Sequence, residues 1–300
     1  MTEETEAVDI CCASCGIAEV DDIKLKDCDD CDLVRYCSDE CKKDHKSQHE
    51  EECKQRVAEL RDELLFKQPE SRHLGDCPIC CLPMPLELKK TRIYECCSKV
   101  ICHGCFRANN IRDNEMRRKK SCPFCREPLR KTDEEGDKLR MKRIEANDPA
   151  AMCQEGTELR EKRDFRSAFE YFTKAAELGD VDSHHSLSYL YHAGHGVEKD
   201  IGKAIYHMKE AAIAGHPVAR YRLGREEWIN GNTERAVKHW TISAKQGHDD
   251  SIKWLMKAFK RELVPKEVLA AALRAHHAAV YAIKSPQREA AELYYSRKNS

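Results

Sequence analysis

Residues 77–125 read CPICCLPMPLELKKTRIYECCSKVICHGCFRANNIRDNEMRRKKSCPFC, and the cysteines of this stretch decide how the N-terminal half folds. Eight of them form C-x2-C pairs or an adjacent doublet: Cys77 and Cys80, Cys96 and Cys97, Cys102 and Cys105, Cys122 and Cys125. A C-x2-C pair makes a tight turn that points two thiolates at one metal, and four sulfur ligands in a tetrahedron select zinc. Three such pairs and a doublet within 49 residues predict two zinc ions rather than scattered buried thiols.

A second cysteine cluster lies upstream of this stretch. Its ligands are spaced C-x2-C, C-x2-C, C-x3-C and H-x3-C, at Cys12, Cys15, Cys28, Cys31, Cys37, Cys41, His49 and Cys53. A segment this short cannot bury a self-sufficient core, so we expect two further zinc ions to replace it. His49 and Cys53 are four apart and share one helical face, whereas His45 is the competing histidine ligand.

The order of this first cluster, with Tyr36 directly before Cys37, resembles the MYND zinc finger over residues 12–53. The resemblance implies interleaved sites, one formed by Cys12, Cys15, Cys37 and Cys41 and the other by Cys28, Cys31, His49 and Cys53. It also implies a module that binds short proline-containing peptides. Some MYND fingers lie within lysine methyltransferases, but this sequence offers neither a long catalytic domain nor a convincing glycine-rich cofactor turn.

The central cluster resembles a RING finger, and the motif Cys122-Pro123-Phe124-Cys125-Arg126 is typical of how that family ends. The resemblance implies a cross-braced fold with one ion on Cys77, Cys80, Cys102 and Cys105, and the other on Cys96, Cys97, Cys122 and Cys125. Most members have a cysteine, one spacer and a histidine in the middle, whereas here Cys96 and Cys97 are adjacent and Lys99 takes the histidine position. We therefore expect both cysteines to be ligands, with His103 as the fallback.

In sites of this kind the protein fills all four coordination positions of each zinc ion. The four expected ions are therefore predicted to be structural. The RING resemblance implies ubiquitin ligase activity by positioning: the module would bind a ubiquitin-conjugating enzyme and orient its thioester-linked ubiquitin. Ile79, Pro123 and Phe124 would form the apolar docking groove, and Arg126 would bridge enzyme and ubiquitin. The alternative is packing for the apolar residues and a solvated charge for Arg126. Asn109 stands where many members have a large aromatic, which predicts a weak groove.

Length and composition bound the remaining possibilities. The 300 residues predict two or three domains, and a formal net charge of −1 does not favour nucleic acid as a partner. The basic run Arg117–Lys120 is a nuclear-import or nucleic-acid candidate, although a solvated loop is the simpler interpretation. The acidic start Met1–Asp9 is unlike a signal peptide, and no apolar run is long enough for a membrane span. Eighteen cysteines then predict an intracellular protein, cytoplasmic or nuclear, that binds metal.

The sequence also predicts the bounds of the central module and of the segments around it. We expect a disordered N-terminus over 1–11, a spacer helix over 54–75 ending near Pro69, a RING-type module over 76–130, and a charged linker over 131–149. The linker is predicted to contain a turn at Thr132–Gly136 and a break at Asp148-Pro149.

An internal repeat fills residues 150–297. The set Ala168, Phe172, Ala175, Ala176 and Gly179 recurs as Ala204, Met208, Ala211, Ala212 and Gly215, then as Ala236, Trp240, Ser243, Ala244 and Gly247. These offsets mark one helical face followed by a glycine cap. A leucine follows each glycine by eight residues, at Leu187, Leu223 and Leu255. The pattern predicts a solenoid of helical hairpins, with residues 251–297 as one degenerate closing unit.

The middle unit, from Tyr191 through Gly194-x-Gly196-Val197 to Ala204, resembles the Sel-1-like repeat. The resemblance implies a concave protein-binding surface without chemistry, and the two glycines are predicted to shape a loop. We expect solvated histidines at His184, His185, His276 and His277, and spare thiols at Cys11, Cys81 and Cys153. The predicted fold class is thus multidomain: two zinc-stabilised cross-brace modules followed by an all-α solenoid. The favoured function is a RING-type ubiquitin ligase that recruits protein substrates, and the alternative is a non-catalytic scaffold.

Overall fold

The computed structural model describes residues 11–20 and 22–298. The chain divides into two compact units, Met1–Lys67 and Gln68–Ser300. The predicted disorder of 1–11 lies outside the described residues except at Cys11, which pairs with Ala18 in an isolated β-bridge. Within the described ranges, no helix combines the length and apolar character needed to cross a membrane.

The first unit is a small zinc-binding module on one long helix. Strands β1 (Lys26–Asp27) and β2 (Arg35–Tyr36) pair antiparallel and precede helix α1 (Asp39–Phe66). Ser38 caps this helix by accepting a hydrogen bond from the Cys41 backbone N–H. The buried side chains at its centre are three thiols and one tyrosine, namely Cys12, Cys28, Cys31 and Tyr36. A centre of this composition depends on metal bonds rather than on apolar contact.

The predicted spacer helix over 54–75 has bounds that begin too late and run too far, although its predicted end near Pro69 is confirmed. Helix α1 already begins before the ligand Cys41 and continues without a break to Phe66, so ligands and spacer share one element. It stops before Pro69, whose ring is incompatible with a helix interior. Residues 69–75 are not helical and belong to the second unit.

The second unit begins with the central zinc module. A 3-10 turn (Leu88–Lys90) leads into the hairpin of β3 (Thr91–Tyr94) and β4 (Lys99–Cys102), and helix α2 (His103–Glu115) follows directly. The small core combines four cysteines with three larger side chains: Cys77, Cys102, Cys105, Cys122, Met84, Tyr94 and Ile101. The hairpin thereby brings Cys102, at the end of β4, beside Cys80 of the preceding loop.

The predicted charged linker over 131–149 is largely a helix, α3 (Asp133–Glu145). Thr132 caps it through a hydrogen bond from the Glu135 backbone N–H, and acidic residues in its first turn and basic ones in its last suit the helix dipole. Arg140 is buried between α3 and the next helix, 2.7 Å from Glu155 and 2.8 Å from Glu158. The segment therefore joins the repeats as an ordered element. The predicted break at Asp148-Pro149 is the capped start of that next helix.

Nine helices follow α3 in the described part of the chain, and the first eight of them pack against their neighbours in hairpins. Their bounds are α4 (Pro149–Glu161), α5 (Phe165–Glu177), α6 (Val181–Ala193), α7 (Ile201–Ile213), α8 (Pro217–Ile229), α9 (Thr233–Lys245), α10 (Asp249–Phe259) and α11 (Lys266–Ala282). The predicted faces of α5, α7 and α9 are buried, and so are the leucines Leu187, Leu223 and Leu255. The capping glycines Gly179, Gly215 and Gly247 have φ of +86° to +87°, a conformation that other residues rarely adopt. The predicted fold class is confirmed.

The predicted closing unit over 251–297 is divided between two places. Helices α10 and α11 pack with α9 around buried Leu255, Ala258 and Ala272 and so extend the solenoid. The last helix, α12 (Pro286–Lys298), instead packs against α2 of the zinc module. The solenoid and the central zinc module are therefore one compact body.

Candidate metal centres

Four groups of four ligands meet in the structure, and in each group the ligand atoms lie within 4.8 Å of one another. In the first unit they are Cys12, Cys15, Cys37 and Cys41, and Cys28, Cys31, His49 and Cys53. In the second unit they are Cys77, Cys80, Cys102 and Cys105, and Cys96, Cys97, Cys122 and Cys125. These are the sets named from the sequence, and all eighteen cysteines, which lie within the described residues, are free of disulfides.

The spacing of the ligands in the first unit fits zinc. Sulfurs about 2.3 Å from a tetrahedral zinc are about 3.8 Å from each other. The Sγ atoms of Cys15 and Cys37 are 3.6 Å apart, and those of Cys28 and Cys53 are 3.9 Å apart. Both pairs join residues far apart in sequence. The first ties an N-terminal loop to the residues just before α1, and the second ties the next loop to the middle of α1.

The histidine ligand of the first unit is His49. Its ring is buried, and Nε2 lies 3.2 Å from the Sγ of Cys31. His45, the competing candidate, is one helical turn earlier and uses Nδ1 to contact the Tyr36 hydroxyl at 3.1 Å. His45 therefore orients Tyr36, and only His49 belongs to a ligand group.

The two ligand groups of the central module are interleaved along the chain. Sulfur contacts join Cys80 to Cys102 at 3.9 Å and Cys97 to Cys122 at 3.6 Å. Cys96 also takes part, with its Sγ 3.3 Å from that of Cys125. The adjacent cysteines thus both face the second group.

The alternative ligands of the central module point elsewhere. Lys99 is an exposed residue at the start of β4. The ring of His103 lies against Tyr295 of α12, with the ring centroids 4.6 Å apart. Neither residue belongs to a ligand group among the described residues.

The two C-x2-C turns of the central module have the same backbone geometry. The N–H of Cys77 donates to Leu82 at 2.9 Å and that of Cys122 donates to Glu127 at 2.8 Å. The residue after each second cysteine then turns back to the first cysteine, with φ of +53° at Cys81 and +62° at Arg126. Cys81 is therefore the exposed residue that closes the turn, which explains why a cysteine beside a ligand is not itself one.

The ligand thiols have unequal acidities. A hydrogen bond with Cys102 lowers the pKa of Cys77 to about 4, whereas burial raises the pKa of Cys97 to about 11, and those of Cys105 and Cys53 to about 12. Such thiols become thiolates at neutral pH only when a cation offsets their charge. The all-sulfur and Cys3His donor sets, to which the described residues add no fifth ligand, fit a closed structural zinc site.

The four residues predicted to contact a conjugating enzyme lie on accessible parts of the central module. Ile79 and Phe124 have 43% and 37% of their surface exposed, and the Phe124 ring meets Tyr94 edge-on at 6.2 Å. Pro123 is half-buried and Arg126 is exposed. The Tyr94 ring thus packs against Phe124 in the second turn, and Ile79, Phe124 and Arg126 reach solvent.

Helix α2 would complete this surface, but it has a polar residue where a large aromatic side chain is typical. Asn109 on α2 donates to Asp113 at 3.4 Å and accepts from Arg112 at 3.0 Å. Its amide is thus occupied along the helix. The missing aromatic leaves Ile79 and Phe124 as the apolar part of the surface.

A fifth group of possible ligands, His73, Asp182 and His216, was not found from the sequence. The Oδ1 of Asp182 lies 3.1 Å from Nε2 of His73 and 3.3 Å from Nε2 of His216. Burial raises the pKa of Asp182, but the hydrogen bonds from both imidazoles outweigh it and hold that pKa far below its usual range. No local spacing signals the group, because its members come from three distant segments.

The geometry of this fifth group indicates hydrogen bonds rather than a metal site. Nδ1 of His216 accepts the backbone N–H of Ala219 at 3.2 Å, so Nε2 carries the proton and donates to Asp182. The rings of His73 and His216 also stack, with centroids 4.3 Å apart and planes 20° apart. A metal binds an imidazole in the plane of the ring, and one ion cannot lie in two stacked planes.

Several predictions for the remaining polar residues need revision. His185 stacks on His216 with centroids 4.4 Å apart, and burial holds its pKa far below the usual value. His276 is buried and contacts Asp249 at 2.9 Å. The half-buried His184 contacts His207. The expectation of solvated histidines is therefore wrong for these three and holds for the exposed His277.

The other singled-out residues lie apart from the metal groups. Arg117–Lys120 is an exposed run after α2. Gly194 and Gly196 have φ of +70° and +73°, which agrees with their predicted role in loop geometry. Cys11, Cys81 and Cys153 belong to no ligand group, and burial raises the pKa of Cys153.

Two parts of the chain match the models of known protein families. Residues 12–53 match the model of the MYND finger, and residues 150–180, 181–216 and 217–248 each match the model of the Sel1 repeat. The chain contains a MYND finger and Sel1 repeats. The MYND finger is the first zinc-binding module, and the Sel1 repeats begin at the hairpin of α4 and α5.

Individual proteins resemble the chain in part. Chitin synthase regulatory factor 4 of Schizosaccharomyces pombe (strain 972 / ATCC 24843) is 30% identical over 91 residues, which is 30% of this chain and 14% of that protein. The match thus spans only a small part of that relative.

Two solved structures are similar to part of this chain. The crystal structure of a Sel1 repeat protein from Oxalobacter formigenes has a TM-score of 0.45 and 23% identity, covering 57% of this chain and 70% of that one. The crystal structure of c5321, a protective antigen present in uropathogenic Escherichia coli strains displaying an SLR fold, has a TM-score of 0.44 and 21% identity, covering 51% of this chain and 34% of that one.

Proposed function

We propose that this protein is a RING-type ubiquitin ligase built on a protein-interaction scaffold. The MYND finger and the Sel1 repeats support the scaffold, because both kinds of module bind other proteins. One observation carries the ligase proposal: the two ligand groups of residues 77–125 are interleaved, and Ile79, Phe124 and Arg126 are exposed beside them. This combination supplies exposed apolar side chains and a permanently charged guanidinium next to the two metal-binding turns.

The proposed mechanism is orientation rather than chemistry by the module itself. Ubiquitin arrives as a thioester on a conjugating enzyme, and a substrate lysine amine attacks it, forming an amide and releasing the enzyme thiol. Ile79, Pro123 and Phe124 dock the enzyme, and the planar guanidinium of Arg126 donates hydrogen bonds to enzyme and ubiquitin together. Restricting the thioester to reactive orientations accelerates the attack without a nucleophile from this chain.

We assign substrate recruitment to the other two modules. The MYND finger exposes Ile17, Val20 and Leu33, each with about half of its surface accessible, which supports docking of a proline-containing peptide. The Sel1 repeats offer the larger surface for a protein substrate. Four structural zinc ions and a reducing intracellular compartment, cytoplasmic or nuclear, complete the proposal, since eighteen free cysteines suit a reducing environment.

An auto-ubiquitination assay across a panel of conjugating enzymes tests the ligase proposal. We expect activity with at least one enzyme, and we expect Arg126→Ala to reduce it about tenfold or more because the bridging hydrogen bonds are lost. Arg118→Ala is the matched control, since Arg118 is also an exposed arginine of the same module but lies outside the proposed surface.

The zinc content of each preparation is measured before the assay. Silence with every enzyme from protein that retains its full zinc complement would overturn the ligase proposal and leave the scaffold alone. Equal loss of activity in both arginine variants would also contradict the assigned role of Arg126.

A further inference from the structure

The C-terminal helix α12 packs on the central zinc module, although the sequence between them contains the whole repeat array. Its Ala291 is fully buried, and α12 lies along the first turns of α2. The Tyr295 ring contacts His103 at 4.6 Å between centroids, and the guanidinium of Arg107 lies 4.9 Å over the Tyr294 ring. The contact therefore involves the helix that begins directly after the zinc ligand Cys102.

Arg288, in the first turn of α12, reaches into the loop that carries the first two ligands of the module. Its Nη1 donates to the carbonyl oxygens of Pro83 at 2.8 Å and Ile283 at 2.9 Å. Its Nη2 donates to the carbonyl oxygen of Leu82 at 3.1 Å and to the Sγ of Cys80 at 3.3 Å. One guanidinium thus fixes the loop backbone and contacts a metal-ligating sulfur.

The charges explain why an arginine is placed here. None of the four acceptors of Arg288 is a carboxylate, and Arg72 is a second cation close by. Burial and the charge of Arg288 both lower the pKa of Arg72, as expected for two partly desolvated cations. Asp76 offsets part of the charge on Arg72. A divalent zinc with four thiolates carries two excess negative charges, so the loaded site would supply the counter-charge that Arg288 lacks.

Close packing around Gly104 shows that α12 and the zinc module fit tightly. A Cβ atom at Gly104 would lie 2.9 Å from Cγ and 3.0 Å from Cα of Arg288. Gly104 stands between the ligands Cys102 and Cys105, so α12 approaches the backbone of the metal-binding turn itself.

We infer that Arg288 is a positioning residue for the zinc site of Cys77, Cys80, Cys102 and Cys105, and that docking of α12 is required for this site to retain zinc tightly. Hydrogen bonds to metal ligands orient them and strengthen metal binding, and their loss commonly costs 10–100-fold in affinity. The C-terminal end of the chain is thus part of the central zinc module. This inference concerns metal retention and is independent of ligase activity.

Zinc release from the full-length protein tests the inference. The protein is mixed with excess chelator and pulsed with an alkylating reagent, and mass spectrometry follows the alkylation of each cysteine group separately. We expect Arg288→Gln to accelerate alkylation of Cys77, Cys80, Cys102 and Cys105 about tenfold or more, with Cys96, Cys97, Cys122 and Cys125 near the unmodified rate. Arg297→Gln, an exposed arginine on the same helix, is the matched control and is expected to change neither group.

Two further variants separate the role of Arg288 from general stability. Arg288→Lys keeps the charge but not the planar fork, so we expect an intermediate rate. Gly104→Ala favours helix formation in α2 but displaces α12, so we expect it to accelerate the same four cysteines. Unchanged alkylation in Arg288→Gln would overturn the inference. Equal acceleration of both groups would also overturn it, because that result indicates loss of the whole fold.

Discussion

Single residues decide which side chains bind metal where two candidates stand close together. His45 and His49 are one helical turn apart on α1 and both face the finger. Only the ring of His49 reaches a thiol, at 3.2 Å from Cys31, whereas His45 contacts the hydroxyl of Tyr36. Helical periodicity makes both residues candidates. It also favours His49, because His49 and Cys53 have the i, i+4 spacing that places both on one helical face.

Substitution of the two histidines tests this assignment. We expect His49→Gln to bind one zinc fewer than the unmodified chain in native mass spectrometry, because an amide is a poor substitute for imidazole in a Cys3His site. His45→Gln is the matched control and is expected to keep the full zinc content. A zinc deficit in His45→Gln with a normal content in His49→Gln would reverse the assignment.

Pairs of helices place histidines against each other inside the Sel1 repeats. Nδ1 of His184 on α6 and Nδ1 of His207 on α7 are 3.0 Å apart. Burial, the neighbouring His184 and the cation of Lys203 lower the pKa of His207 to about 4. Burial also lowers the pKa of His184, although Glu210 and Asp180 act in the opposite direction. The pair is therefore neutral at pH 7 and resists protonation.

This pair is expected to make the repeats less stable in mild acid. The pKa of a histidine in the unfolded chain is about 6.5, so between about pH 6.5 and 4 the unfolded state binds protons that the folded state does not. Stability then falls as the pH is lowered through this range. We expect His207→Gln to reduce the difference in urea midpoint between pH 7 and pH 5, measured by helical circular dichroism.

His277→Gln is the control for the acid effect, since His277 is an exposed histidine in the same unit. It is expected to leave the pH dependence unchanged. Because zinc loss affects all variants alike, the comparison isolates the histidine pair. An unchanged pH dependence in His207→Gln would show that the pair does not contribute.

On the scale of the second unit, a short irregular segment joins the zinc module to the repeats. Arg72 donates to the carbonyl oxygen of Met84 at 2.9 Å and to that of Ala279 on α11 at 3.1 Å. His73 donates its backbone N–H to Gly215 at 3.3 Å and its ring contacts Asp182. Together with Arg288, these contacts hold the module on the solenoid from two sides.

Removing the shared carboxylate tests this junction. We expect Asp182→Ala to destabilise the second unit by about 1–3 kcal/mol, because two buried imidazole N–H groups lose their acceptor. Thermal unfolding gives the stability, and hydrogen exchange over residues 69–75 is expected to become faster.

Asp250→Ala is the control for the junction. Asp250 occupies the same second position of its helix, α10, as Asp182 does in α6, but its partner Lys253 is exposed. The two variants therefore share any helix-dipole effect and differ in the buried contacts. Equal stability loss and unchanged exchange over 69–75 would contradict the role of Asp182.

The sequence by itself determined the parts of this protein whose signals are local. The C-x2-C spacings fix pairs of ligands, because a tight turn is the only short path that points two thiolates at one ion. The offsets that end at Gly179, Gly215 and Gly247 fix the buried helical faces, because helix periodicity and left-handed caps are properties of neighbouring residues.

Only the tertiary structure decided how these parts are assembled. The contact of Arg288 with Cys80 and that of His73 with Asp182 join residues far apart along the chain, and hydrogen bonds of this kind impose no spacing on the sequence. Helix α12 has the composition of a repeat helix, and its packing on α2 depends on where the whole solenoid directs the chain. Local structure requires particular residues at fixed spacings, which can be recognised in the sequence. A contact with a distant residue requires only a side chain of suitable charge and shape.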